Sequence, residues 1–329
     1  MSLPLVAITM GDPCGIGPEI TAKVGALPEF GSAHRAFVIG DAERLQMEIR
    51  KNTLPLQVVE VKDVADVIPR QGLLHVLSGP PLPLTLQYGK LDADAGRASF
   101  MYIQQAITLA NAGRIDAICT APINKEALAA AGIRYPGHTE IFADLSRAPN
   151  VAMMLMSPCL MVALVTIHCS LVDAIGRLSV AEELRIISLA NTTLRRMGVQ
   201  RPRVAVAGLN PHAGEGGLFG REDLDIIAVA VKEAQRQGIE ATGPHPPDTI
   251  FMQARKGQYD IVVAQYHDQG LIPIKLLGVE HGVNMTAGLP YVRTSPDHGT
   301  AFDIAGRGVA DPTSLKTALE MARDLALRS

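Results

Sequence analysis

Short uninterrupted apolar runs punctuate this chain from end to end, with longer amphipathic stretches between them. "PLVAITM", "RAFVIG", "LQVVEV" and "LLHVLS" read as strands, and "DADAGRASFMYIQQAITLANAG" carries apolar residues at helical spacing up to Gly113. "IDAICTAPI" is a further strand. It runs into "NKEALAAAG", where Asn124 is placed to cap a helix that Gly132 closes. "VAMMLMS" and "LMVALVTIH" form a strand pair joined at Ser157 and Pro158. Beyond them, "VAEELRIISLANTTLRRMG", "EDLDIIAVAVKEAQRQG" and "TSLKTALEMARDLALRS" are helical, and "RVAVAGLN" and "YDIVVAQYH" are strands. Strands that are apolar at every position need cover on both faces, which intervening helices supply. The pattern therefore implies an α/β fold with a largely parallel sheet.

At 329 residues the chain is long enough for two domains or one large one, with 47% apolar and 19% charged residues to build a core. A net charge of −3, no Trp and no polybasic run argue against nucleic-acid binding. No apolar run reaches the roughly 18 residues of a membrane span, and the opening "MSLPLVAITMGDP" lacks the basic and apolar regions of a signal peptide. The chain reads as soluble and cytoplasmic, without a membrane partner. Cys14, Cys119, Cys159 and Cys169 form no CxxC pair and read as reduced thiols.

Ligands of open α/β sheets bind beyond the carboxyl ends of the strands. His168 ends "LMVALVTIH", His212 follows a strand in "VAVAGLNPHAGEGG", and His267 ends "IVVAQYH". Each alone also reads as a polar residue where a strand surfaces. Three in one topological position suit a catalytic metal site with open coordination positions, assembled from three strand ends or from two subunits. Asp173, Asp248 and Asp268 are candidates for an oxygen ligand or for orienting the imidazoles.

The loop "NPHAGEGGLFG" carries four glycines and Glu215 around His212, which suits close backbone approach to a ligand as well as plain flexibility. Lys275, Asn284 and Arg293 follow in apolar surroundings. With His138 and Thr139 of "YPGHTE", they supply donors for a phosphate or carboxylate, Thr139 being a candidate helix cap. The first strand leads into "TMGDPCGIGPEI", but Gly11, Gly15 and Gly17 do not give GxGxxG. Only Asp41 could serve as the ribose-binding acid, so a standard dinucleotide fingerprint is disfavoured. Pro18 marks a helix start there.

"GDPCGIGPEI", "TAPINKEAL", "YPGHTEIFADL", "GLNPHAGEGGLFG", "YHDQGLIPIKLLG" and "GVNMTAGLPYVRTSPDHGTAFDIAGRG" together resemble the 4-hydroxythreonine-4-phosphate dehydrogenase family along nearly the whole chain. The resemblance implies a two-domain α/β/α fold of the isocitrate and isopropylmalate dehydrogenase type. It implies a homodimer whose active site lies in the interdomain cleft at the dimer interface. The expected domains are 1–126 plus about 288–329 on the cofactor side, and about 127–287 for metal, substrate and dimerisation. By motif, His168, His212 and His267 become ligands of one divalent ion (Zn, Mg, Mn or Co), with His267 coming from the partner subunit. His138, Thr139, Lys275, Asn284 and Arg293 become substrate contacts, and Lys275 and Asp248 are the candidate catalytic residues. "DHGTAFDIAGRG" resembles the nicotinamide-cofactor loop of isopropylmalate dehydrogenases, which assigns His298, Gly299, Thr300, Ala301 and Asp303 to NAD, or to NADP.

The implied reaction oxidises a 4-phosphorylated 3-hydroxy acid and decarboxylates the β-keto acid. "GLFGRED", "GPHPPDTIFMQARKGQYD" and "IPIKLLGV" resemble the branch that acts on 4-phospho-D-threonate or 4-phospho-D-erythronate, giving dihydroxyacetone phosphate. The alternative is 4-phosphooxy-L-threonine, in pyridoxal phosphate (vitamin B6) biosynthesis. More remote readings of the same residues are a metal-dependent phosphoester hydrolase or a non-catalytic sugar-phosphate-binding protein.

Overall fold

The computed structural model describes residues 3–278 and 282–328. The chain forms two units, Met1–Pro149 with Leu289–Leu327, and Asn150–Gly288. The first crossing, at Pro149, falls after the helices Lys125–Ala130 and His138–Leu145. Its cause is packing: the helices Lys125–Ala130 and His138–Leu145 both lie against the long helix Ala93–Asn111. A Cβ on Gly96 would come within 2.1 Å of the Ala127 carbonyl oxygen, so the two helices touch backbone to backbone. His138 and Thr139 therefore belong to the first unit and not to the second.

In the first unit, β1 (Leu5–Thr9), β2 (Arg35–Gly40), β3 (Gln57–Val61), β4 (Leu73–Ser78), β5 (Ala117–Thr120) and β12 (Val292–Pro296) run in the order β3-β4-β2-β1-β5-β12, all parallel. Every residue of β1, β5 and β12 is buried, as continuous apolar strands in a helix-covered sheet should be. Helix starts follow local chemistry. Asp41 caps Ala42–Lys51 through Arg44 N, Asp92 caps Ala93–Asn111, and Asn124 caps Lys125–Ala130 through Ala127 N, as its sequence position suggests. Asp41 is thereby committed to a helix cap.

In the second unit, β6 (Ala152–Ser157), β7 (Leu160–Leu164), β8 (Val204–Ala207), β9 (Ala241–His245), β10 (Ile261–Ala264) and β11 (Val283–Ala287) are ordered β11-β6-β7-β10-β8-β9. The β6–β7 hairpin and the β11–β6 pair are antiparallel; β7, β10, β8 and β9 are parallel. Leu155, Val162, Leu164, Val262 and Ala264 pack with Ile250, Leu271 and Ile274, which belong to the helices Ile250–Arg255 and His267–Lys275. Burying such aliphatic side chains contributes roughly 1.5–3 kcal/mol each. The helix Val180–Arg196 contacts β7, β8, β10 and β11; Ser179 caps it by accepting from Glu182 N. Among the described residues no helix is long and apolar enough to cross a membrane, and all four cysteines are free.

Candidate active site

β7, β10 and β8 are adjacent and parallel, so their carboxyl ends open on one edge. Ala264 stands beside Leu164, so the chain leaves both strands at the same level. All three histidines follow these strands, but none lies inside one: His168 and His212 sit in loops, and His267 begins the helix His267–Lys275. β10 ends where Gln265 N–H is taken by the side chain of Gln269 at 2.6 Å in place of a neighbouring strand.

Two of the three histidines meet. The rings of His168 and His267 lie 5.7 Å apart between centres, beside a cavity of about 460 Å³ lined also by Cys169, Tyr266 and Asp268. His267 Nδ1 is 2.7 Å from Asp268 Oδ1. In the neutral ring this fixes the proton on Nδ1 and leaves the Nε2 lone pair for a ligand. Asp268 is thus placed as an orienting group. Asp173 is not: it is bonded to Ser170 at the cap of the helix Leu171–Arg177. Among the described residues no three His, Cys, Asp or Glu side chains are placed to hold a metal ion within one chain.

Residues that the sequence did not mark tie this edge together. Buried Gln265 donates from Nε2 to the Ala207 carbonyl at 2.8 Å, and Gln269 Nε2 donates to the Gly208 carbonyl at 2.8 Å, linking the ends of β10 and β8. Thr166 Oγ1 donates to the Gln265 carbonyl at 2.8 Å and so links the His168 loop to the end of β10. Behind Gln265 lies Glu183, fully buried, with neither carboxylate oxygen meeting a protein hydrogen-bond donor. Burial pushes its pKa up to about 8, with Glu182 and Asp223 reinforcing the rise and Gln265 opposing it. Gln265 Oε1 is also buried without a protein hydrogen-bond partner.

The glycine-rich loop is not loose. His212, Ala213, Gly214, Glu215 and Gly216 all take left-handed backbone angles, with φ between 43° and 79°. Three of the five are not glycine, a costly conformation at roughly 1–2 kcal/mol per residue. The His212 ring lies against Phe219, 6.4 Å between centres. A π-turn, Asp223–Ile227, follows where the sequence suggests the first turn of an ordinary helix.

The other anion donors divide between the units. In the first, Arg293 is buried on β12 and donates from Nη2 to Thr120 Oγ1 at 2.6 Å; its guanidinium carbon lies 5.3 Å from the centre of the Phe142 ring. Burial lowers its pKa to about 10. His138 lies on the same ring, 6.4 Å between centres, and its Nε2 is buried without a protein partner. Burial, and then the charges of Arg293 and Lys125, push its pKa well below the ordinary imidazole value, so it is neutral. The helix here starts at His138 with Gly137 as its cap, and Thr139 lies within its first turn. The sequence suggested Thr139 as the cap; the extended Gly137 takes that place and leaves the first amides without a side-chain acceptor. Lys275 and Asn284 lie in the second unit. Lys275 is exposed at the end of the helix that His267 begins, and Asn284 Oδ1 on β11 is buried and unpartnered. Asp248 is exposed in the turn after β9.

The loop of His298, Gly299, Thr300, Ala301 and Asp303 is braced by the first glycine loop. Ile16 N donates to the Thr300 carbonyl at 3.0 Å, and a Cβ on Gly15 would lie 2.9 Å from Thr300 Cβ. That loop supports a neighbouring loop at this point. His298 Nδ1 is bonded to the Gly299 carbonyl at 3.0 Å, while its Nε2 is buried without a protein partner.

The fold is one of two α/β units, with ligand-type side chains beyond the strand ends of the second. The β-decarboxylating dehydrogenase of Thermococcus kodakarensis shares it at a TM-score of 0.51 over 98% of this chain and 83% of its own; at 14% identity this is a likeness of fold alone. The chain belongs to the PdxA family, whose model, described as pyridoxal phosphate biosynthetic protein PdxA, matches residues 32–322. The 4-hydroxythreonine-4-phosphate dehydrogenase of Beijerinckia indica is 52% identical over 97% of this chain and 94% of its own. The D-threonate 4-phosphate dehydrogenase of Cupriavidus necator is 47% identical over 99% and 98%. The crystal structure of 4-hydroxythreonine-4-phosphate dehydrogenase from Klebsiella pneumoniae superposes with a TM-score of 0.92 at 46% identity, covering 98% of each chain.

Proposed function

We propose that this protein is a dehydrogenase that oxidises the 3-hydroxyl of a small 4-phosphorylated hydroxy acid. NAD, or NADP, is the hydride acceptor, a divalent ion is held by histidines, and the β-keto acid then loses carbon dioxide. The first choice of substrate is 4-phospho-D-threonate or 4-phospho-D-erythronate, giving dihydroxyacetone phosphate. The observation that carries the reading is the His168–His267 pair at 5.7 Å, with Asp268 bonded to Nδ1 of His267.

Two imidazoles fall one short of the three donors a catalytic site of this type uses. The protein is therefore proposed to act as a homodimer, with His212 of the partner subunit as the third donor. Imidazole donors favour zinc or cobalt over magnesium, with manganese between them. When bound, the ion supplies Lewis acidity that lowers a hydroxyl pKa and stabilises negative charge on a neighbouring oxygen.

The chain's own groups divide the remaining tasks. Buried Arg293 and neutral His138 offer donors to the phosphate, with Thr139, Lys275 and Asn284 as further contacts. His298, whose Nε2 is buried and unpartnered, would hold the cofactor together with Gly299, Thr300, Ala301 and Asp303. NAD or NADP, when bound, would supply the hydride acceptor, and Asp248 and Lys275 are the candidate catalytic groups around the hydroxyl whose proton must leave. The bond to the carboxylate carbon then breaks, carbon dioxide leaves, and a proton returns to the carbon left behind.

The 52% identity to a protein named 4-hydroxythreonine-4-phosphate dehydrogenase favours a second reading, with 4-phosphooxy-L-threonine as substrate and a role in vitamin B6 biosynthesis. The two substrates differ at C2, hydroxyl against amine. Measuring kcat/KM for cofactor reduction with each phosphorylated acid separates them. The first reading expects the D-threonate or D-erythronate phosphate to lead, and a lead by the L-threonine compound would replace it. Phosphate release without cofactor reduction would remove both.

A further inference from the structure

We infer that Asp223 is the positioning residue that sets His212 for metal binding, by fixing the left-handed turn on which the imidazole is carried. The inference rests on the proposed role of His212 as a metal donor.

Asp223 is fully buried at the start of its π-turn, and the loop is wrapped around its carboxylate. Oδ1 accepts from Leu209 N at 2.8 Å; Oδ2 accepts from Asn210 N at 3.1 Å and from Asn210 Nδ2 at 2.9 Å. Asn210 Nδ2 also reaches Glu222 Oε2 at 2.8 Å. Three donors on one buried carboxylate therefore come from the two residues where the chain leaves β8 and turns towards His212. The contacts leave no slack. A Cβ on Gly208 would lie 2.7 Å from Asp223 Oδ1 and 2.9 Å from Ala213 Cα, and one on Gly214 would lie 3.3 Å from Asp223 Oδ2. The carboxylate thus touches both ends of the segment from Gly208 to Gly214, with His212 inside it. Left-handed angles at His212, Ala213 and Glu215 are unfavourable in a free chain, so the turn needs an external fixture. The buried carboxyl group of Asp223 supplies one.

The test titrates the full-length protein with cobalt(II), following its visible absorption, in the parent, His212→Ala, Asp223→Asn and the double variant. Asp223→Asn should weaken cobalt binding by about 10–100-fold with the imidazole still present, the range for removing a group that orients a ligand. The double variant should bind no more weakly than His212→Ala alone, because both changes remove the same donor. Asn210→Ala, which keeps the buried carboxylate, should weaken binding several-fold and be equally silent in the His212→Ala background; it carries the test if Asp223→Asn does not fold. Parent-like cobalt affinity in the folded Asp223 and Asn210 variants, or losses that add to that of His212→Ala, would overturn the positioning role while leaving His212 a ligand. Parent-like affinity in His212→Ala would overturn the role of His212 as a donor, and this inference with it.

Discussion

His168 and His267 reach each other from adjacent parallel strands, their rings 5.7 Å apart, within one chain. If they are two donors of one site and His212 comes from a second copy, a pairing rule follows for mixed dimers. His168→Ala mixed with His212→Ala leaves one intact site in each heterodimer and should regain activity from two inactive parents. His168→Ala mixed with His267→Ala leaves none. Recovery in the second mixture and silence in the first would move His267 to the partner's site.

Asp268 holds the Nδ1 side of His267 at 2.7 Å while itself largely exposed. Asp268→Asn keeps the shape and removes the charge. Metal affinity should fall about 10–100-fold with little change in melting temperature. Direct ligation through Asp268 would instead give a loss as large as that of His267→Ala.

Arg293 is a buried guanidinium bonded to Thr120, a geometry an ammonium group cannot copy. Arg293→Lys should raise KM for the phosphorylated substrate by about tenfold or more and leave the KM for NAD near the parent value. An equal rise in both would show that the change disturbs the fold and not a phosphate contact.

Glu183 makes stability depend on pH. Its pKa is about 8 in the folded chain against 4.5 for an ordinary glutamate, so between those values the folded state keeps a proton that the unfolded state has released. Stability attributable to this group therefore falls as pH rises from about 4.5 to about 8, and the full penalty, on the order of a few kcal/mol, is present above that range. Glu183→Gln is neutral throughout. Its melting temperature should exceed the parent's at pH 8 and above, with the gap closing towards pH 4. A variant that melts below the parent at pH 8 would show that ionised Glu183 is stabilised by a partner.

Much of this molecule is legible before folding, for a simple reason. Continuous apolar runs such as those of β8 and β10 need burial on both sides, and their carboxyl ends mark where ligands gather, so His168, His212 and His267 stand out. Gln265, Gln269, Asp223 and Glu183 do not, because their neighbours in sequence are ordinary. A buried carboxylate and a surface one are the same letter, and only tertiary contacts distinguish Asp223 from the exposed Asp225 beside it. The same limit explains the helix starting at His138. A threonine near a helix start signals a cap, but the extended Gly137 preceding the helix decided which residue took that position. The backbone contact between Gly96 and Ala127 has no local signature either.

The central claim is that histidine-held metal and nicotinamide reduction belong to one reaction, and the absorbance of the reduced cofactor measures it most directly. Protein stripped with a chelator is mixed with NAD and 4-phospho-D-threonate, 4-phospho-D-erythronate or 4-phosphooxy-L-threonine, and then given back zinc, cobalt, manganese or magnesium. The account predicts no reduction before the metal is returned, and reduction with release of carbon dioxide after it, with at least one of the three acids. Full-rate reduction by the stripped protein, or no reduction with any acid and any metal, would contradict it.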